Sequence, residues 1–423
     1  QCFHANNHVR VIIVNHDLSF EEGWSPQNQP TLCPRLLIFD QNVIITIRTD
    51  TLQARKVVCE TQDPIPQSEY HAHLEGEIEE SDFKRTGPNI RYWSDYSHVF
   101  RVFDQKSIQV IPDALESIKA GWSDTELMEG AFRLLVENCD NFQGLQMVHD
   151  TPSFGWGGGG SHAFLTSFRD EFLKAFMLNF SFSSGTDPNH GGINNIIIND
   201  ALCLQSLHQL SDITFPILHL SRWSTLESSN LLQGLAYILY HTSGVISSLV
   251  ETAMVPLRHR GSQENIVMIA DHLNWQRERM FTDLSGNFLT SLSNKDKHVV
   301  FARRNVTQGL QDQDLAAVDA WCNLSSLQEP LDSSIHVPAY PMPTFFLSIF
   351  QCTRLTSIRM ASSLVPAPST SIPLMGYARF VEQTAMRRRS DGVLRSMGLE
   401  SDNMKELASA LMESSMGTGM TGG

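Results

Sequence analysis

The stretch Val136-Glu-Asn-Cys-Asp-Asn-Phe-Gln-Gly-Leu-Gln-Met-Val-His-Asp150, running on through Thr151-Pro-Ser-Phe-Gly-Trp-Gly-Gly-Gly-Gly-Ser161, decides how the chain is read. It reads as helix end, turn, apolar strand over Leu145 to Val148, glycine-rich loop and helix start. Such a junction is a ready-made anion site, because unpaired backbone N–H groups and the helix dipole converge on one point. Gly157, Gly158, Gly159 and Gly160 let the backbone approach a ligand closely, and Ser161 adds a hydroxyl. The loop has no lysine, which excludes a P-loop, and no G-x-G-x-x-G with a following ribose-binding acid. Gly159-Gly-Ser161-His-Ala163 comes near the nucleophile elbow G-x-S-x-G. That motif needs its serine on a sharp turn directly after the strand, whereas Ser161 lies well beyond Val148. Labelling of Ser161 by a fluorophosphonate is therefore not expected. The loop alone leaves an anion site and a plain flexible turn both open.

Outward from this stretch the chain is that of an ordinary globular protein. Its 423 residues suffice for two or more packed domains, with 41% hydrophobic content for a large core. A net charge of −15 disfavours nucleic acid and anionic lipid as partners of the chain as a whole. The seven cysteines are scattered, with no C-x-x-C pair, against a disulfide framework or a zinc site and in keeping with a reducing compartment. His71 and His73 form an H-x-H pair with no evident third ligand, so no metal is expected. The sequence shows neither a signal-peptide pattern nor an uncharged apolar run approaching the roughly 18 residues that span a bilayer. Asn179, Asn305 and Asn323 sit in glycosylation sequons, a tripeptide too common to weigh.

Pro34 to Asp40 has the form of a buried parallel strand, and Val43 to Ile47 is a second apolar run. An acidic, proline-bearing insertion occupies about 60–88. Ser123-Asp-Thr-Glu126 is a capping box, behind which Leu127, Ala131, Leu134 and Leu135 share one helical face. After the glycine loop, Phe164, Phe168, Phe172 and Phe176 recur every four residues as a core stripe of one helix. A strand over Met177 to Phe182 and a helix over Asn199 to Leu210 follow. Helix alternating with strand implies a mostly parallel, doubly wound sheet. Further expectations are hydrophobic helices over Ser228 to His241 and on to Val255, a helix near 262–275 and a strand at 298–302. Then come a helix near 312–326, a proline-rich stretch to Pro373, helices near 376–396 and 402–415, and a disordered tail. Arg387-Arg-Arg389 reads as a solvated helical face rather than a contact to an acidic partner.

Glu137-Asn-Cys-Asp-Asn-Phe-Gln-Gly-Leu-Gln-Met147 resembles the tubulin superfamily at the strand before its phosphate-binding loop, where tubulins carry Cys-Asp-x-x-Gln-Gly-Phe-Gln. Pro34-Arg-Leu-Leu-Ile-Phe-Asp40 is similar to the tubulin strand written Pro-Arg-x-x-x-x-Asp. Trp93-Ser-Asp-Tyr96, with Lys106-Ser-Ile108 after it, resembles a block of the Misato family, tubulin-like proteins of mitochondrial distribution and inheritance. Val255-Pro-Leu-Arg258, Val267 to Leu273, Val300-Phe-Ala-Arg-Arg304 and Ile372 to Gly376 are similar to later blocks. The opening Gln1, with Ala5-Asn6 and Val9 to Asn15 matching the family's first loop and helix but no strand before them, reads as an incomplete start.

The resemblance implies a tubulin/FtsZ-like α/β fold: a nucleotide-binding-type domain over 1–245, a smaller α+β domain over 246–375, and C-terminal helices with a tail over 376–423. It implies GTP as an optional ligand of Gly157 to Ser161, with Asn199, in Asn199-Asp-Ala-Leu202, as the base contact or else a helix cap. The tubulin loop is Gly-Gly-Gly-Thr-Gly-Ser-Gly, whereas here Trp156 adds bulk and Asp150 adds negative charge. After Gly261 the relatives' Asn-x-Asp-x-x-Glu/Lys is not matched: Glu264 is the one acid near the expected place, and Val267 stands three residues on. No GTP hydrolysis and no catalytic residue are therefore expected. The implied role is a non-enzymatic factor in mitochondrial distribution, morphology and inheritance, linked to chromosome segregation. It would work through protein partners of the mitochondrial or tubulin machinery, in the cytoplasm and peripherally on the mitochondrial surface.

Overall fold

The computed structural model describes residues 14–24, 30–41, 108–111, 127–151, 161–184, 195–217, 239–274, 280–288, 300–311, 314–316, 318, 331–339, 359–367, 370–386, 394 and 399–419. Strands β1 (Phe20–Trp24) and β2 (Pro30–Pro34) pair antiparallel. The apolar run after Pro34 becomes a strand only in its second half, β3 (Ile38–Gln41), parallel to β4 (Ile108–Ile111). Val43 to Ile47, His71, His73, the acidic insertion, Trp93 to Tyr96, the capping box, Asn323 and Arg387 to Arg389 all lie outside the described residues.

A helical segment, Leu127–Phe132, kinked at Gly130 (φ −102°, ψ −105°), leads into α1 (Arg133–Glu137). The expected apolar face is corrected here, since Met128 and Phe132 are buried while Leu134 is 41% exposed. The kink at Gly130 interrupts the helical register, so a single helical face does not run through both segments.

The centre of the molecule is built by β5 (Gly144–Asp150), α2 (Ser161–Glu171), β6 (Phe176–Phe182), α3 (Asn195–Leu210) and β7 (Ile213–Ile217). The three strands are parallel in the order β5-β6-β7. A Cβ at Gly144 would lie 2.2 Å from the Phe176 carbonyl oxygen, so the β5–β6 pairing can begin only on glycine. Leu178, Phe180 and Phe215 pack on one side against helix α4 (Leu239–Met254) and helix α5 (Ile266–Leu273), through Leu249 and Ile269 among others. Met177 faces the other way, against Phe164, Leu165 and Phe168 of α2 and Leu207 of α3. Burial on both faces is what gives β6 its unbroken apolar run, each buried large side chain contributing about 1.5–3 kcal/mol.

The four-residue phenylalanine stripe does not lie on one helix. Phe172 follows the end of α2, and Phe176 opens β6. The rings of Phe168 and Phe172 still stack at 5.5 Å, because the chain reverses tightly between them and the next strand.

A second sheet follows in the order β10-β9-β11-β8, from β8 (Asp283–Phe288), β9 (Ala302–Gln308), β10 (Leu331–Val337) and β11 (Met360–Val365). β10 is parallel to β9, and β11 is antiparallel to both β9 and β8. The strand expected at 298–302 thus lies at 302–308, and the proline-rich stretch contains β11. Helix α6 (Ser371–Met386) and helix α7 (Ser401–Gly419) pack against each other and on α3, through Tyr377, Val381, Met404 and Leu411. The tail is corrected in part: α7 continues to Gly419, because Leu411, Ser414 and Ser415 stay buried. Asn179 and Asn305 are buried strand residues, 0% and 4% exposed, which rules out sugar attachment at either sequon.

Candidate functional site at the carboxyl ends of β5 and β6

In an open parallel sheet, ligands collect where strands end and the following helices begin. Here that place is bounded by Asp150 at the end of β5, Thr151 after it, Ser183 and Ser184 after β6, and the first turns of α2 and α3. Ser161 is the first residue of α2, as expected, and its side chain lies outside the described set. Gly157, Gly158, Gly159 and Gly160 also lie outside it. Asn199 is corrected as a cap: α3 starts at Asn195, and Asn199 sits a full turn inside it, 3% exposed.

The residue beside it organises the site. Asp200 is fully buried and accepts three hydroxyl hydrogen bonds. Thr151 Oγ1 donates to Oδ1 at 2.5 Å, while Ser184 Oγ and Tyr377 Oη donate to Oδ2 at 2.6 and 2.9 Å. The Thr151 amide also donates to the Phe182 carbonyl at 2.8 Å, closing β5 onto β6. Burial pushes the Asp200 carboxyl above the usual carboxylate range, and the three hydroxyls partly offset this. One side chain thereby fastens the ends of β5 and β6 to α3 and to the C-terminal helix α6. Sequence reading missed it, although a carboxylate inside Ile196-Ile-Ile-Asn-Asp-Ala-Leu-Cys203 signals a buried acid that must find donors elsewhere.

His149, on β5, faces the α2 side together with Leu145 and Met147. Both its ring nitrogens are buried without a hydrogen-bond partner. Burial pushes its imidazole down to about 4, with Asp150 opposing. A base depressed in the folded state stabilises the fold fully above its unfolded value, near 6.5, and loses that contribution as pH falls through about 4. The protein is thus expected to lose about 3 kcal/mol between those two pH values through this one group. His149→Gln should flatten the loss, as read from urea unfolding midpoints at pH 7 and at pH 4.5. Equal acid sensitivity in parent and variant would contradict it.

The described residues at the strand ends bring two carboxylates, Asp150 and Asp200, and no lysine or arginine. Among the described residues no group of three or more His, Cys, Asp or Glu could hold a metal ion.

Glu264, the one acid near the expected activating position, lies in the loop before α5. Its Oε2 meets Nη2 of Arg304, on β9, at 3.0 Å, off the line of a hydrogen bond. Arg304 is 2% exposed, while the Glu264 side chain keeps 24% of its exposure. Ser262 Oγ accepts from the Glu264 amide, and Asn265 caps α5 by accepting from the Met268 amide at 2.8 Å. The loop is thus held from within its own chain.

A family model described as a tubulin domain matches residues 83–259. Protein DML1 of Phaeosphaeria nodorum is 24% identical over 354 residues, 72% of this chain and 66% of that protein. Protein DML1 of Gibberella zeae is 26% identical over 299 residues, 62% and 58% of the two chains. Protein misato homolog 1 of Bos taurus is 25% identical over 228 residues, 47% and 37%. The matched stretch spans less than two thirds of the length of each of these relatives. The matched tubulin domain, the parallel sheet flanked by helices and the relatives' names agree: the chain is similar to the tubulin-like Misato/DML1 proteins.

Proposed function

We propose that the protein is a non-hydrolysing, tubulin-like factor in mitochondrial distribution, morphology and inheritance, with a link to chromosome segregation. It acts through protein partners of the mitochondrial or cytoskeletal machinery, in the cytoplasm and peripherally on the mitochondrial surface. The observation that carries the reading is the Glu264–Arg304 ion pair. Tubulin-type hydrolysis needs a carboxylate presented to the nucleotide of a neighbouring subunit, to orient water. In this chain the acid nearest that place is committed to a buried arginine of its own subunit. A carboxylate so held is turned inward rather than toward a neighbouring nucleotide, and freeing it would strand the arginine. Among the described residues no helix is long and apolar enough to cross a membrane, in keeping with a peripheral association.

Two measurements test the proposal. Phosphate release from Mg·GTP by the purified full-length protein is expected to stay at the buffer background over a wide range of protein concentration. Depletion in cells is expected to disturb the distribution of mitochondria, and to be rescued by the unaltered protein. Turnover that rises with protein concentration would instead establish an active, self-stimulated GTPase.

A further inference from the structure

β10 is an outer strand of the second sheet, paired among the described residues with β9 alone. The opposite border of that sheet is joined to the first sheet by a bridge between Thr214 of β7 and Phe281, just before β8. The β10 border is open to solvent: Leu331 is 51% exposed, and Asp332, Ser334 and His336 are exposed with it. Such an edge is ordinarily blunted by a lysine, a proline or a bulge, because its backbone groups template another strand. Leu331-Asp-Ser-Ser-Ile-His-Val337 contains neither residue, and its register with β9 is unbroken. Its acid, Asp332, lies 3.9 Å from the guanidinium of buried Arg303.

The ladder to β9 fixes which backbone groups face outward. The Leu331 amide donates to the Phe301 carbonyl, and the Val337 carbonyl accepts from the Gly309 amide. Leu331, Ser333, Ile335 and Val337 therefore turn their N–H and C=O groups toward β9. Those of Asp332, Ser334 and His336 point away from the sheet. Pro330 and Pro338 occupy the next outward positions on either side and have no N–H to offer. A ladder added to this edge is thus limited to the residues between them.

A copy of the same strand, laid antiparallel about Ser334, uses all of these groups. Ser334 then meets the partner's Ser334, while Asp332 and His336 meet the partner's His336 and the partner's Asp332, each pair exchanging both backbone bonds. The side chains agree with this register. Asp332, Ser334 and His336 share one face, so each carboxylate stands opposite an imidazole. His336 Nδ1 meets the Thr307 hydroxyl at 2.7 Å, which leaves Nε2 to donate to that carboxylate. On the other face, exposed Leu331 comes against the partner's Val337. Centring the pair on Asp332 instead would set two carboxylates face to face, which opposes that register. We propose that β10 is a homodimerisation edge, pairing antiparallel with its copy about a two-fold axis at Ser334 to make one continuous sheet across both protomers. The axis closes the contact, so association stops at the dimer. The edge lies outside the strand-end site, and its failure would leave the proposed function untouched.

Sedimentation velocity of the full-length protein over about 1–200 μM is expected to show a monomer–dimer equilibrium with a dissociation constant on the order of 10 μM, as suits a small interface. Ser334→Pro removes the outward amide at the axis from both protomers and leaves the β9 ladder intact. Ser334→Lys sets two ammonium groups opposite each other. Each is expected to weaken the dimer about tenfold or more, with far-UV circular dichroism and the melting temperature of the monomer near those of the parent. Hydrogen exchange supplies a test without substitution: the amides of Asp332, Ser334 and His336 should slow as protein concentration rises. A protein monomeric throughout the range, or a dimer that both variants leave unchanged, would overturn the proposal. So would oligomers that grow beyond the dimer, or exchange at those three amides that ignores concentration.

Discussion

Glu264→Ala is expected to destabilise the protein by about 3 kcal/mol and to leave GTP turnover at its background. The substitution leaves the Arg304 guanidinium, 2% exposed, without its counter-charge, a change that typically costs about 3–5 kcal/mol. The lower end applies because Glu264 itself keeps some contact with water. The reciprocal change is asymmetric. Arg304→Met replaces the buried charge with an apolar chain of similar length, and the half-buried Glu264 can turn toward solvent, so a smaller loss is expected. Glu264→Gln combined with Arg304→Met should recover much of the stability lost by Glu264→Ala. Urea unfolding of the parent, single and double variants gives the coupling between the two positions directly. An unchanged midpoint for Glu264→Ala, together with altered nucleotide turnover, would mean that the carboxylate is catalytic and the ion pair incidental.

The same pair shows why part of the structure could be read from the sequence and part could not. Gly-Leu-Gln-Met-Val-His-Asp150 was legible as a parallel strand because its neighbours are local: a turn before it, a glycine loop after it, apolar residues between. β9 was misplaced because Ala302-Arg-Arg-Asn-Val-Thr-Gln308 carries no hydrophobic alternation, yet all seven residues are buried. Its polar groups are matched by residues distant in sequence. Ser363 Oγ donates to Asn305 at 2.8 Å, Thr307 meets His336 at 2.7 Å, and Thr252 donates to Gln308 at 3.0 Å. A local pattern cannot report such partners. The site follows the same division: its position at the strand ends was readable from Asp150 and the glycines, whereas Asp200 depends on Tyr377, 177 residues away. The first helical face failed for a different reason. A kink at Gly130 interrupts the helix, and a face read at one constant helical period passes straight over it.

Phe168→Ala is expected to cost about 3–5 kcal/mol. Phe168 is fully buried at the centre of a ring cluster. It stacks on Phe164 at 6.3 Å and Phe172 at 5.5 Å, and meets Phe132 and Phe142 edge-on at 5.8 and 6.4 Å. Truncation removes all four contacts and opens a void that rigid neighbouring rings cannot easily fill, which places the loss toward the upper end. Phe168→Leu keeps most of the volume and should cost about half as much. The consequence reaches the candidate site, because these rings are what press α2 against β5 and so fix where its first turn stands relative to His149 and Thr151. Hydrogen exchange of the α2 amides should accelerate in Phe168→Ala before exchange in α6 and α7, which belong to a separate core, does so. Uniform acceleration across both cores would show that the molecule opens as one unit, and that the ring cluster does not set the stability of the site by itself.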